Sequence, residues 1–160
     1  MRALDLALLR LLRSRGHAPA AERALLAFTR AGEHGLLWQA LCVLGLVLDP
    51  GRRALYLRAM RVTLIAYLAN IALKYVIRRP RPVLPGLPPL SSTVTNLAYP
   101  SAHSTTSFAA AGALAGGLPA RPLYACAGAM ALSRAYAGVH WPSDVLAGAA
   151  FGTAMHELIS

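Results

Sequence analysis

The chain has 160 residues, of which 56% are hydrophobic and only 14% are charged, and its formal net charge is +10. Soluble domains carry about 25% charged residues, so this deficit excludes most of them and predicts one membrane-embedded domain over residues 1–160. No nucleic-acid partner is expected, because the basic residues form no long polar face and arginines at a membrane interface account for the charge better.

The first 32 residues predict interfacial helices. The stretch "MRALDLALLRLLRSRG" alternates apolar and basic residues, and it lacks the uninterrupted apolar core and the cleavage site of a signal peptide. This pattern is typical of an amphipathic helix on the membrane surface, with Arg10, Arg13 and Arg15 towards the lipid head groups. Residues 1–32 are therefore assigned to amphipathic or interfacial helices, and residues 35–160 to a transmembrane bundle with the functional loops.

Five apolar segments follow and predict helices. They are residues 35–48, 55–77, 104–120, 122–133 and 145–155. Most are shorter than the roughly 20 residues that span a bilayer, so a soluble helical bundle is the alternative. Against it, small residues crowd the last three segments, as they do where helices pack closely in lipid. The predicted fold is all-α: a polytopic membrane bundle of about five transmembrane helices plus an N-terminal amphipathic helix.

The segment between the second and third of these helices predicts a loop. It reads "RRPRPVLPGLPPLSSTVTNLAYP", residues 78–100, and long loops rich in proline and serine are often functional. Lys74 lies near the end of the preceding helix, and Pro80 and Pro82 keep Arg81 out of it. Both cations can then converge on one anion. The alternative is that they favour the helix dipole or bind lipid head groups.

The third helix opens with "PSAH", residues 100–103. Proline is common at the first helical position, so the helix is predicted to begin at Pro100. The free N–H groups of Ser101 and Ala102 would then form an anion site at the helix start, with His103 within reach. The alternative is an ordinary helix start with a histidine of no function.

The stretch "SRAYAGVHWPSD", residues 133–144, joins the last two helices. Pro142 again predicts a helix start, which places Asp144 in the first turn, four residues after His140. A carboxylate beside an imidazole fixes its tautomer and raises its basicity, and the planar guanidinium of Arg134 suits a phosphate. The alternative is a capped helix and a loop histidine.

A five-span topology brings these three clusters to one membrane face. Two histidines, two or three cations, one carboxylate and open helix starts then converge. No second carboxylate, cysteine ligand or acidic cluster lies near them in the sequence to form a metal site. This set of groups favours cleavage of a phosphate ester through a histidine nucleophile over a metal-dependent hydrolase.

In this order the clusters resemble the three-part signature of the type-2 phosphatidic acid phosphatase superfamily. The matching motifs are Lys74-x6-Arg81-Pro82, Pro100-Ser101-Ala102-His103 and Ser133-Arg134-x5-His140-x3-Asp144. Each motif alone is weak, but the three together are highly specific, although they cover less than half of the chain. The resemblance implies an integral-membrane lipid phosphate phosphatase that needs no metal and no other cofactor.

The resemblance also implies a role for each residue. His140 would attack phosphorus and form a phosphohistidine, Asp144 would orient and activate His140, and His103 would protonate the leaving oxygen. The expected phosphate-binding groups are Lys74, Arg81, Ser101, the Ala102 N–H and Arg134.

The side of the membrane and the substrate are also predicted. In a five-span topology, eleven of the sixteen Lys and Arg residues fall on the face that carries the motifs, which the positive-inside rule assigns to the cytoplasm, here at the inner membrane.

Small bacterial members that the chain resembles include phosphatases of polyprenyl-phosphoryl ribose 5-phosphate, which is the preferred substrate. Polyprenyl diphosphate, phosphatidic acid and phosphatidylglycerol phosphate stay open, as does a homo-oligomer. A different class, a non-catalytic membrane protein that binds anionic lipid, is the alternative to an enzyme.

Overall fold

A computed structural model of the chain describes residues 2–15 and 17–159. The α-helices of this part are α1 Arg2–Ser14, α2 Pro19–Ala31, α3 Leu36–Leu48, α4 Arg53–Ile77, α5 Ala102–Ala115, α6 Ala120–Tyr136 and α7 Pro142–Ile159. Short 3-10 turns, Glu33–Gly35 and Pro50–Arg52, precede α3 and α4. The all-α prediction is confirmed, and the five apolar segments coincide with α3 to α7 apart from the boundaries described below.

Helix α5 is the centre of the bundle and packs against α4, α6 and α7. Most of its side chains are small, and Ala109, Ala110 and Ala113 are fully buried, so the neighbouring backbones approach closely. Helix α7 approaches most closely: a Cβ placed on Gly152 would meet the carbonyl oxygen of Thr105, and one placed on Gly148, nearer the helix starts, would lie 2.5 Å from the carbonyl oxygen of Ser101. Glycine at this position therefore sets the distance between the starts of α5 and α7.

Two predicted boundaries of α5 are wrong. The helix begins at Ala102 and not at Pro100, because Ser101 is the N-cap and its hydroxyl accepts the Ser104 N–H at 3.4 Å. A serine cap satisfies a helix start better than a proline one residue earlier. The helix also ends at Ala115 and not at residue 120, because two glycines and a proline form a turn over residues 116–119 before α6.

The long predicted loop is confirmed. Helix α4 ends at Ile77, and Arg78 takes a left-handed conformation with φ of 53° that turns the chain away from the helix axis. No helix lies between residues 78 and 101, where an isolated bridge between Pro80 and Leu97 is the one ladder contact. The loop therefore folds back over the ends of the helices.

Helix α1 packs against α6 and α7 with one narrow face. Residues at a spacing of four, Asp5, Leu9 and Arg13, are buried on this face. Arg10 and Arg15 are exposed, but the prediction that Arg13 points to head groups is wrong. Its guanidinium donates to the carbonyl oxygen of Pro88 at 2.6 Å, because the loop offers a backbone acceptor at this place.

The chain associates with a membrane. The segment Pro50–Ile77 is the one unbroken helix of the described residues that is long and apolar enough to cross a bilayer, and α2 and α3 pass the same test together although they are bent by 52°. Helices α3 and α4 expose a belt of apolar side chains that suits contact with lipid. It includes Leu41, Val43, Leu44, Val47, Leu57, Leu64 and Leu68. The total of five transmembrane helices stays a prediction.

We predict that Gly148→Ala lowers the free energy of unfolding by about 1–3 kcal/mol, because the new methyl group meets the Ser101 backbone and α5 and α7 must move apart. The measurement is thermal melting in detergent. Gly128→Ala on α6 is the matched control, since a Cβ there meets no atom within 4 Å and alanine favours a helix. Equal melting temperatures for the two variants would contradict the packing described for α5 and α7.

Candidate active site

The three polar clusters meet at a cavity of about 420 Å³. It lies at the end of the bundle where α4 and α6 end and where α5 and α7 begin. Six of the eight predicted site residues line it: Lys74, Arg81, Ala102, His103, Arg134 and His140. The other two, Ser101 and Asp144, are fully buried. The predicted convergence of the clusters at one end of the bundle is therefore observed in the fold.

The imidazole of His140 is buried, and its two nitrogens have different surroundings. Nη1 of Arg81 lies 3.2 Å from Nε2, and because a guanidinium only donates, Nε2 accepts and the proton of the neutral ring is on Nδ1. Nδ1 lies 3.7 Å from Oδ2 of Asp144, which is longer than a hydrogen bond. Burial lowers the pKa of His140 well below its usual value, and the charge of Arg81 acts in the same direction. The ring is therefore neutral at pH 7 with a lone pair on Nε2.

Asp144 lies in the first turn of α7, as predicted, and both of its carboxylate oxygens are occupied. Oδ1 accepts from Nη1 of Arg79 at 2.7 Å, and Oδ2 accepts the Trp141 N–H at 2.9 Å. Nη2 of the same arginine pairs at 2.8 Å with Asp5 from α1. The sequence analysis assigns no site role to Arg79 or Asp5, although Asp5 is the only acidic residue before Glu22.

The three cations of the cavity are held by neutral oxygens. Lys74 Nζ donates to the Pro100 carbonyl at 2.7 Å, and Arg81 donates to the Val139 carbonyl at 2.6 Å. Burial lowers the pKa of Arg81 to about 10, so this guanidinium stays charged at pH 7. Within the described ranges, no ion pair joins Lys74, Arg81 or Arg134 to a carboxylate. Their positive charge is therefore available to a bound anion.

Thr29 of α2 holds two site residues in place. Its hydroxyl, which is fully buried, accepts from Nη1 of Arg134 at 2.8 Å and lies 2.9 Å from the hydroxyl of Ser133. Its carbonyl lies 3.1 Å from Nε2 of His103, and because a carbonyl only accepts, this nitrogen carries a proton. Nδ1 is then the nitrogen of His103 that is left to exchange a proton with a substrate. No sequence pattern pointed to Thr29.

The start of α5 differs from the prediction in one respect. The N–H of Ser101 is not free, because it donates to the carbonyl oxygen of Asp144 at 3.0 Å. The physical reason is the later helix start, which makes this residue the cap that joins α5 to α7. Ala102 is the first helical residue and lines the cavity. Among residues 2–15 and 17–159, no three His, Cys, Asp or Glu side chains come together to hold a metal ion.

Comparisons with known proteins agree with this geometry. A family model described as the PAP2 superfamily matches residues 55–160. The chain belongs to the PAP2 superfamily. It is a hydrolase that acts on phosphate esters, and the resemblance seen in the motifs is confirmed.

One relative, from Mycolicibacterium smegmatis, is 39% identical over 124 residues, which cover 76% of this chain and 68% of the relative. Another relative, from Mycobacterium tuberculosis, is 37% identical over 129 residues, which cover 80% of this chain and 72% of the relative. Both are named decaprenylphosphoryl-5-phosphoribose phosphatase.

Two crystal structures have the same fold as this chain. LpxE of Aquifex aeolicus is 24% identical with a TM-score of 0.82, and the match covers 98% of this chain and 94% of that one. A transmembrane phosphatidylglycerolphosphate phosphatase of Bacillus subtilis is 23% identical with a TM-score of 0.77, over 99% of this chain and 83% of that one. The shared fold therefore extends to α1 and α2, which precede the region matched by the family model.

We predict that Thr29→Val lowers phosphatase activity by about 10- to 100-fold, because valine keeps the shape of the side chain but removes the acceptor of a buried hydrogen bond to Arg134. The measurement is release of phosphate from a lipid phosphate in detergent. Thr29→Ser keeps the hydroxyl and is expected to stay within a few fold of the wild type. Equal activity of the two variants would show that the hydroxyl does not position Arg134.

Proposed function

We propose that this phosphatase removes the 5-phosphate from a polyprenyl-phosphoryl ribose 5-phosphate through a covalent phosphohistidine on His140. The observation that carries the proposal is the cavity in which a neutral, buried imidazole faces three cations that have no carboxylate partner among residues 2–15 and 17–159. Such a site binds a phosphate group and offers it a nucleophile.

In the first step, the Nε2 lone pair of His140 forms a bond to phosphorus while the bond from phosphorus to the ester oxygen breaks. His103, protonated on Nδ1, gives this proton to the leaving oxygen. Lys74, Arg81 and Arg134 bind the three equatorial oxygens, where negative charge increases in the transition state. The Ala102 N–H at the start of α5 adds a neutral donor, and Ser101 fixes this helix start against α7.

In the second step, water attacks phosphorus on the side that the leaving group has vacated. Nδ1 of His103 takes a proton from the water, the bond from phosphorus to Nε2 breaks, and phosphate and a neutral imidazole are released. Asp144 lies on the Nδ1 side of His140, where its negative charge stabilises the cationic ring of the intermediate. Neither step requires a metal or another cofactor.

The choice of substrate has two supports. Relatives that are 37–39% identical are named for this activity. In addition, the cavity wall beyond the phosphate end carries polar groups that suit the hydroxyls of a ribose, and a cavity of about 420 Å³ accommodates a sugar phosphate. These groups are Glu33, His34, Ser92, Thr93 and Thr95.

We also propose that the chain is a multi-pass protein of the inner membrane with its active site at the cytoplasmic face. Eleven basic residues belong to the N-terminal region and to the end of the bundle that carries the cavity, and five belong to the opposite end. This asymmetry follows the positive-inside rule. An inward-facing site also suits a lipid phosphate that is made inside the cell.

We predict that purified protein releases phosphate from polyprenyl-phosphoryl ribose 5-phosphate with a kcat/KM at least tenfold above that for phosphatidic acid, phosphatidylglycerol phosphate or polyprenyl diphosphate, and that EDTA has no effect. His140→Ala should reduce the rate by at least 1,000-fold, because no other group takes the place of the nucleophile. Activity that survives in His140→Ala would refute the phosphohistidine. A preference for another lipid of the panel would refute the substrate and leave the chemistry in place.

The orientation can be tested with single cysteines in a chain whose Cys42 and Cys126 are replaced by alanine. Val83→Cys lies in the long loop at an exposed position, and Gly51→Cys lies in the turn before α4 at the other end of the bundle. In intact cells, a membrane-impermeant maleimide should label the Gly51 variant, and the Val83 variant only after permeabilisation. The reverse pattern would place the site outside.

A further inference from the structure

Helix α1 reaches the site through one carboxylate, which the mechanism above does not use. Asp5 is 5% exposed, and its oxygens accept from the Ser143 N–H at 2.9 Å, from the Ser143 hydroxyl at 2.5 Å and from Nη2 of Arg79 at 2.8 Å. Although burial raises it, the bonds from Ser143 and Arg79 bring the pKa of Asp5 below its usual value. Asp5 is therefore ionised at neutral pH.

Arg79 divides its guanidinium between two carboxylates. Nη2 binds Asp5, while Nη1 binds Oδ1 of Asp144 at 2.7 Å and the Ser143 hydroxyl at 2.7 Å. The guanidinium also lies 5.6 Å from the ring centre of Trp141, which limits its movement. One cation thus faces two anions, so these three residues, the Asp5–Arg79–Asp144 cluster, carry one net negative charge.

This charge matters for the nucleophile. If Arg79 were paired with Asp144 alone, the pair would be neutral, and His140 would have no net anion on its Nδ1 side. The other charged or titratable groups around His140 are Lys74 on α4, His103 on α5, Arg134 on α6 and Arg81 in the loop. Three of these four are permanent cations, and His103 is a cation while it carries the proton for the leaving oxygen, so the imidazolium character that develops during attack is opposed from every other side.

We propose that Asp5 is a positioning residue that acts through Arg79: it draws the guanidinium to α1 and so keeps one net negative charge in the Asp5–Arg79–Asp144 cluster behind His140. The inference rests on the proposed role of His140 as nucleophile. It gives α1 a function in the reaction besides its predicted place at the membrane surface.

The experiment compares the pH dependence of kcat/KM for wild type, Asp5→Asn, Arg79→Gln and the double variant, with one lipid phosphate at pH 4–9. Asp5→Asn removes the net negative charge, so His140 loses its proton more easily and the acid limb moves to lower pH by roughly half a unit or more. Arg79→Gln makes the cluster more negative and moves this limb to higher pH. The double variant regains the original net charge and should return close to the wild-type profile.

Because the ionisation of the substrate is common to all four proteins, the differences report on the enzyme. Asp5→Asn should also lower kcat by about tenfold with little change in KM, since the charge acts on the transition state and not on binding. Asp49→Asn, the same substitution at the opposite end of the bundle, is the matched control and should leave both the profile and kcat unchanged.

Shifts of Asp5→Asn and Arg79→Gln in the same direction, or losses of activity that follow the melting temperature without a shift, would overturn the inference, because a merely structural role gives no opposite signs. If Asp5→Asn does not fold, the double variant, which removes both partners of the Asp5–Arg79 pair, decides the question: its acid limb must lie at lower pH than that of Arg79→Gln. Failure of the proposed function is distinguishable, because it appears as activity in His140→Ala, whereas failure of this inference leaves that variant inactive.

Discussion

The contact between the starts of α5 and α7 is the constraint on which the site depends. The Ser101 N–H donates to the Asp144 carbonyl at 3.0 Å, and this approach is possible because Gly148 has no side chain. Helix α5 carries His103 in its first turn, and α7 follows directly after His140. One close backbone contact therefore fixes the two imidazoles relative to each other, and small alanines along α5 maintain it through the rest of the bundle.

The electrostatics of the site follow from which groups are paired and which are not. The cations of the cavity are bound by carbonyl and hydroxyl oxygens, an arrangement that is costly to bury without a counter-ion and that favours binding of a phosphate. The carboxylate of Asp144, in contrast, shares Arg79 with Asp5 from α1. Positive charge thus lies on the cavity side of His140 and negative charge lies behind it, which is the polarity that attack on a phosphate requires.

The sequence allowed the helices, the long loop and the groups of the cavity to be predicted, because these depend on local patterns: apolar runs, prolines and short motifs. It did not allow their supports to be predicted. Asp5 and Arg79 are 74 residues apart, and Thr29 and Arg134 are 105 apart, so only the folded chain brings them together. The prediction for Arg13 is wrong for the same reason, since its acceptor lies in a loop 75 residues away. The start of α5 was misplaced because Pro100 and Ser101 both suit a helix terminus, and tertiary contact with α7 decides between them.

The most direct test of the account is a structure of the protein with vanadate, whose five-coordinate form resembles the transition state of phosphoryl transfer. The account predicts vanadium bonded to Nε2 of His140, equatorial oxygens within hydrogen-bond distance of Lys74, Arg81 and Arg134, and Nδ1 of His103 facing the apical oxygen. Vanadate bonded to His103 instead, or bound outside the cavity with His140 unchanged, would contradict the central claim that His140 is the nucleophile of a phosphate site built from these three motifs.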